Sequence, residues 1–391
     1  MVTEMLMISG VSVVYWNWDK IKIYNRWRQI TQSKSQFINR LGDTLRILKI
    51  YRKEYGYAIT VKLPHGYTIE DFGNDLNIFK EGLNFQSIHL KNKNYVVYMY
   101  CISLYKFKEY QTIELPPNKL LIADGIIKPI ITNMNSYPHM LIGGDTGTGK
   151  SRILLLILTN LIKYCSNVEL YMLQVRKNDL GVFQNCSQVK VNSKSLEEVL
   201  ETLETIDKEC KRRENLIDNT KGFYNIEDYN KFNTSKLKYI YVVIEEFSFL
   251  NISKGDCKEE KQIKARCLKY IKMIVNVGRS SGVFLITALQ KPTNDSIPSD
   301  IKAELCTRVS LKIADDSAAK VILGNGHATK LGNRELICRT VEEEKGYSYT
   351  INHNIVMDNI RNRIVKKKKK APPKKEEPNI NDILEALNEI D

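Results

Sequence analysis

The apolar positions change their period along the chain, and the changes mark its parts. Between Gln36 and Tyr55 the residues Phe37, Leu41, Leu45, Leu48 and Tyr51 recur every three or four positions, which predicts a helix. After Gly56 the period shortens. Tyr57 to Leu63 alternates like a strand, Pro64-His65-Gly66 is a turn, Thr68 to Lys80 predicts a second helix, and Ser87 to Leu104 predicts two strands around Lys91 to Asn94. Residues 36–115 therefore read as a small α+β accessory domain, closed by the turn-rich stretch Leu115-Pro116-Pro117-Asn118.

From about Ile130 short apolar runs alternate with helical segments, the pattern of a mostly parallel sheet covered by helices. Leu141 to Gly143 ends a strand, Lys150 to Tyr164 is an almost wholly apolar helix, and Glu169 to Val175 is a second strand. Ser195 to Ile217 is a long amphipathic helix opened by a capping box, Ser195 with Glu198. Strands at Tyr239 to Ile244, Val283 to Ala288 and Thr307 to Ile313 complete the alternation. The fold class is α/β, with one motor-sized domain over 116–357 preceded by the α+β unit.

The two ends read differently. Residues 1–35 hold the apolar run Met5 to Trp18, followed by Lys20, Lys22, Arg26 and Arg28. The run is shorter than the roughly 20 apolar residues of a spanning helix, and it lacks the flanks of a removable signal. Two readings stay open: a buried first strand or helix of the next domain, or a short membrane anchor with Trp16 and Trp18 at the interface and the basic flank inside. Residues 358–391 contain the run Lys366 to Lys370, the spacer Ala371-Pro372-Pro373, and a short amphipathic helix with Ile380, Ile383, Leu384, Leu387 and Ile390 on one face. That helix suits docking into a partner's groove, or folds back on the motor.

Composition narrows the class. A 43% hydrophobic content excludes wholesale disorder. The formal charge is +14 and is spread along the chain rather than confined to the lysine run. It fits an anionic partner, nucleic acid or a membrane face, or the solvated surface of a Lys-rich chain. Eight scattered cysteines, with no Cys-x-x-Cys and no His at zinc spacing, read as reduced thiols without a structural metal.

One stretch carries chemistry. Gly144-Asp145-Thr146-Gly147-Thr148-Gly149-Lys150-Ser151 satisfies the phosphate-loop pattern G-x-x-x-x-G-K-[ST], between an apolar strand and an apolar helix. Glycines let backbone N–H groups converge on phosphate oxygens and the helix start adds a positive dipole end. Lys150 is expected to reach the β- and γ-phosphates of ATP, and Ser151 to ligate Mg²⁺. A second signal is the strand Tyr239 to Ile244 running into Glu245-Glu246. Two acids at the end of a buried strand are costly unless they meet a cation or polarise water. Glu245 is expected to support Mg²⁺, and Glu246 to orient and deprotonate the attacking water.

Together these residues resemble a family. Pro138-His139-Met140-Leu141-Ile142-Gly143-Gly144 leading into the phosphate loop, and Ile244-Glu245-Glu246-Phe247, are similar to the motor domain of FtsK and SpoIIIE DNA translocases. So, in order, are Gly278-Arg279-Ser280-Ser281-Gly282-Val283, Ala288-Leu289-Gln290-Lys291-Pro292, Thr307-Arg308 and Leu331-Gly332-Asn333-Arg334-Glu335-Leu336. The resemblance implies a RecA-like P-loop ATPase motor. It also implies that Gln290 couples the γ-phosphate region to movement, that Arg279 or Arg308 is a finger reaching a neighbouring subunit's nucleotide, and that a homo-oligomer, a hexamer, encloses DNA. Three departures stand out: Glu245 where the family has Asp, Lys291 where it has Arg, and no acid near Gln174 before Arg176.

The short stretch after Met357 leaves no room for a DNA-reading winged helix, and the layout resembles the TcpA-type coupling proteins of Gram-positive conjugative elements. That implies a DNA-transfer motor at the cytoplasmic face of the membrane. Its partners would be channel and relaxosome proteins, engaged through residues 379–391. A protein-secretion ATPase of FtsK-like type, or a nucleotide-gated assembly protein with weak turnover, are the alternatives.

Overall fold

The computed structural model describes residues 2–365 apart from Asn94, Tyr95, Leu104, Arg176, Lys177, Lys221, Lys291 and Asn294, with side chains from Trp18 onward except that of Lys93. The lysine run, the expected helix at 379–391, Lys291 and Arg176 lie outside the described residues.

The chain opens with helix α1 (Val2–Ser33), and among the described residues no helix is long and apolar enough to cross a membrane. Its second half enters the core of the small unit: Trp27 packs against Phe79 with ring centroids 4.6 Å apart and donates Nε1–H to the Leu45 carbonyl at 2.9 Å. Packing therefore runs across residue 36, and the second half of α1 is part of the small unit. The unit continues with strands β1 (Arg46–Lys53) and β2 (Gly56–Lys62), helices α2 (Ile69–Asn74) and α3 (Leu76–Leu83), and strands β3 (Ser87–Lys93) and β4 (Val96–Ile102). They form an antiparallel sheet in the order β1-β2-β4-β3.

The helix expected between Gln36 and Tyr55 is not there. Phe37 and Leu45 are buried as that spacing required, but Leu41, Leu48 and Tyr51 are exposed, and Arg46 to Lys53 pairs backbone to backbone with β2. Pairing across the Gly56 turn overrides local period. Gly56 has φ +142°, and a Cβ there would meet the Cys101 carbonyl at 2.3 Å. β1 is an edge strand, and its Arg46, Lys49, Arg52 and Lys53 suit an edge that must not pair with another chain.

The motor comprises β5 (Lys119–Gly125), β6 (Ile130–Asn133), β7 (Met140–Gly144), α4 (Lys150–Tyr164), β8 (Val168–Leu173), β9 (Val189–Ser193), α5 (Leu196–Asp218) and α6 (Ile226–Phe232). It continues through β10 (Tyr239–Ile244), α7 (Lys258–Ser281), β11 (Val283–Gln290), α8 (Ser299–Glu304), β12 (Thr307–Leu311), α9 (Asp316–Leu323), β13 (Glu335–Arg339), β14 (Glu343–Tyr347) and α10 (His353–Ile360). The strands build one sheet in the order β6-β5-β14-β13-β12-β7-β11-β10-β8-β9. The run from β12 to β9 is parallel, as the alternation predicts. The β6-to-β13 side is antiparallel. Residues 119–125, ahead of the alternation read from about Ile130, form strand β5.

Helices cover both faces. The apolar residues of α4 and α10 bury one face of the sheet, and those of α5, α7 and α9 bury the other. Ser195 caps α5 by accepting from Glu198 N–H at 3.2 Å. The reciprocal half of the expected box is displaced by one residue: Glu198 Oε2 accepts from Lys194 N–H at 2.6 Å.

The two units meet at Tyr347. Tyr105 stacks on its ring with centroids 3.6 Å apart, and its hydroxyl lies 2.9 Å from Ser87 Oγ. The chain then lies along the motor, where Asn160 of α4 donates to the Ile113 carbonyl at 2.9 Å and accepts Ile113 N–H at 3.0 Å.

Candidate active site

The phosphate loop leaves β7 at Gly144 and enters α4 at Lys150. Gly147 and Gly149 take φ +81° and +114°, conformations in which a Cβ is strained. Asp145 Oδ2 accepts Ala314 N–H at 2.8 Å, and Asp145 N–H donates to the Lys312 carbonyl at 3.1 Å, so the loop is fastened to the end of β12. Thr148 Oγ donates to the Asp145 carbonyl at 2.7 Å, while Thr146 stands exposed at the tip. Lys150, 6% exposed, donates Nζ to the Gly144 and Asp145 carbonyls at 2.5 and 2.8 Å, which holds its ammonium over the loop. Ser151 Oγ donates to Asp179 Oδ2 at 3.0 Å.

The acids stand where β10 ends. That strand is fully buried, and Glu245 and Glu246 are 4% and 8% exposed. Glu246 Oε1 accepts from Ser248 Oγ at 2.9 Å and from Gln290 N–H at 3.2 Å. Sheet order explains the meeting. β11 lies between β7 and β10, and its register sets Gln290 opposite Gly144 and Thr287 opposite Ile244. Phosphate loop, acid pair and Gln290 thus come together from three neighbouring strands at their carboxyl ends, the end where ligands bind in open α/β sheets.

The arginines lie elsewhere. Arg308 pairs with Leu141 in β7, about 10 Å along the sheet from Gly144 at the rise of an extended strand. Arg308 is turned inward: Nε donates to the Leu305 carbonyl at 3.0 Å, Nη1 to Ile322 at 3.1 Å and Nη2 to Lys302 at 2.5 Å. It satisfies carbonyls at the ends of α8 and α9. Arg279, in the last turn of α7, is exposed and makes one bond to the Asn135 carbonyl at 2.9 Å.

Two residues of this region carry roles that the motifs did not suggest. His139, fully buried with φ +55°, accepts Leu285 N–H on Nδ1 at 3.0 Å and so latches the entry to β7 onto β11. Burial pushes its pKa down to about 4. Gly278 is required beside it, because a Cβ there would meet the Val283 carbonyl at 2.3 Å and His139 Cε1 at 3.3 Å. Asp179 is the other; it arrives from the loop after β8, and only the fold brings it to Ser151.

A cradle of positive-φ glycines, a buried lysine at a helix start, and a buried acid pair of which Glu246 is tied to the neighbouring strand fit a nucleotide's phosphates. Fold and site define a P-loop ATPase. Residues 104–235 match the model of the FtsK/SpoIIIE family. The DNA translocase FtsK of Staphylococcus aureus (strain Mu50) is 27% identical over 247 residues, covering 59% of this chain and 30% of the relative. The chain thus spans about a third of such relatives. Among solved structures, the pCW3 conjugation coupling protein TcpA, a monomer form with ATPγS, has a TM-score of 0.64 at 22% identity, covering 88% of this chain and 99% of that one. EssC (ATPases 2 and 3) of Geobacillus thermodenitrificans has a TM-score of 0.55 at 14% identity, covering 66% of this chain and 50% of that one. At these identities the structural likeness concerns the fold.

Proposed function

We propose that this chain is an ATP-driven DNA translocase that serves as a coupling protein for DNA transfer at the membrane. The observation that carries it is the tie between Glu246 and Gln290 beside Gly144, which joins the hydrolytic acid to the strand that faces the phosphate loop. Lys150 leaves the Gly144 and Asp145 carbonyls to hold the β- and γ-phosphates. Glu246 accepts a proton from the attacking water, and the movement of its carboxylate is felt at Gln290 N–H, the start of a path from hydrolysis to motion. The Ser151 hydroxyl and Glu245 would hold Mg²⁺, which would neutralise charge on the phosphates. Arg279 serves the neighbouring subunit's nucleotide in a homo-oligomer, proposed to be a hexamer around DNA.

Membrane placement is supported by Trp18, Ile21 and Tyr24, exposed on α1 among Lys20, Lys22, Arg26 and Arg28. Fractionation with and without residues 1–20 tests it, and a fully soluble intact chain would remove the anchor and leave recruitment by partners. The central test is ATP hydrolysis with and without duplex and single-stranded DNA at low salt, alongside Lys150→Ala. Stimulation that fades steeply with salt is expected, because phosphate contacts release counterions. ATPase activity indifferent to both DNAs would overturn the DNA reading and favour a motor that moves protein.

A further inference from the structure

We infer that Asp179 is the second carboxylate of the metal–nucleotide site, a positioning residue that orients the Ser151 hydroxyl. The inference deepens the ATPase reading and rests on it.

The residue reaches the site by a built route. Gln174, 1% exposed at the end of β8, accepts Leu180 N–H on Oε1 at 2.9 Å and donates Nε2 to Asn192 Oδ1 at 2.6 Å. Its own N–H donates to the Ser193 carbonyl at 3.0 Å. Leu180 is fully buried, and Asn178 Oδ1 accepts from Lys194 Nζ at 2.6 Å. The segment on either side of Asp179 is therefore fixed to the ends of β8 and β9, while the carboxylate projects to Ser151.

Chemistry gives the contact its meaning. A hydroxyl that donates its proton to a carboxylate turns its lone pairs away from that carboxylate and offers them to a cation. A histidine ligand is oriented by the same kind of outer carboxylate. Among the described residues no three His, Cys, Asp or Glu side chains gather as a metal-holding set. A cation at this site would therefore depend on phosphates and on one or two carboxylates, the usual way of holding Mg²⁺. Gln174 stands where an acid was expected. It cannot supply charge, but it mounts the loop that does.

The test uses the full-length chain saturated with ATPγS, with Mn²⁺ as the probe and free Mn²⁺ read by electron paramagnetic resonance. Asp179→Asn is expected to weaken Mn²⁺ binding roughly 10–100-fold. ATPγS affinity in EDTA and the unfolding midpoint without nucleotide should stay unchanged, and Asp179→Glu should recover part of the loss. Unaltered Mn²⁺ binding by Asp179→Asn, or an equal loss of affinity in EDTA, would overturn the inference alone. Failure of the unsubstituted protein to bind ATPγS would overturn it together with the ATPase reading.

Discussion

Glu246 Oε1 accepts the backbone N–H of Gln290 at 3.2 Å, so the acid at the end of β10 is held by the strand that lines the phosphate loop. A second bond from Ser248 at 2.9 Å fixes the same oxygen. Two bonds thus orient the carboxylate, as a general base would need.

Glu246→Gln keeps the size of the side chain and an acceptor oxygen for Gln290, but removes the base. ATP turnover should fall roughly 10²–10⁴-fold while ATPγS binding is retained. Single-turnover hydrolysis checks this, and near-normal turnover would assign the base to another group.

The two arginines should separate cleanly. Arg308→Ala removes the guanidinium from the Leu305, Ile322 and Lys302 carbonyls, and about 2–3 kcal/mol of stability should be lost in urea unfolding. Arg279→Ala, exposed and singly bonded, should change stability by no more than about 0.5 kcal/mol. Any loss of ATPase activity in Arg279→Ala should then be restored by mixing with a subunit that is hydrolytically dead but keeps Arg279.

Acid should destabilise the fold through two histidines. Burial lowers His139 from 6.5 to about 4. Burial and then Lys345 lower His89 to about 3. Both stay neutral in the fold, so the unfolded chain binds more protons once pH drops below 6.5. Stability is intact above that value and falls as pH decreases, by up to about 1.4 kcal/mol per pH unit for each histidine. Urea midpoints between pH 7.5 and 5 measure the slope. His139→Asn, whose side chain tolerates positive φ, should flatten it.

Tyr347 should govern the coupling of the two units. Tyr347→Phe keeps the stack with Tyr105 but removes the contact with Ser87 and the bond to Glu335, costing about 0.5–1.5 kcal/mol. Tyr347→Ala removes the ring as well, and limited proteolysis should then cut near Ser103 while the motor fragment persists. An unchanged digest would mean that the 107–115 segment alone joins the units.

The sequence alone determined the parallel strands β7, β8, β10, β11 and β12, though not β9, and the phosphate loop. Burial on both faces writes strands such as Tyr239 to Ile244 as unbroken apolar runs, and the loop's chemistry depends on consecutive residues. It also determined that Glu245 and Glu246 end such a strand. Local period misread Arg46 to Lys53, since strand β1 owes its state to pairing with β2 rather than to its own spacing. The tertiary structure decided the rest by bringing distant segments together. Strand order set Gln290 against Glu246, a loop mounted on Gln174 carried Asp179 to Ser151, and helix ends drew Arg308 inward. Each of these depends on which strand lies beside which, and strand order is fixed by packing between segments far apart in the chain.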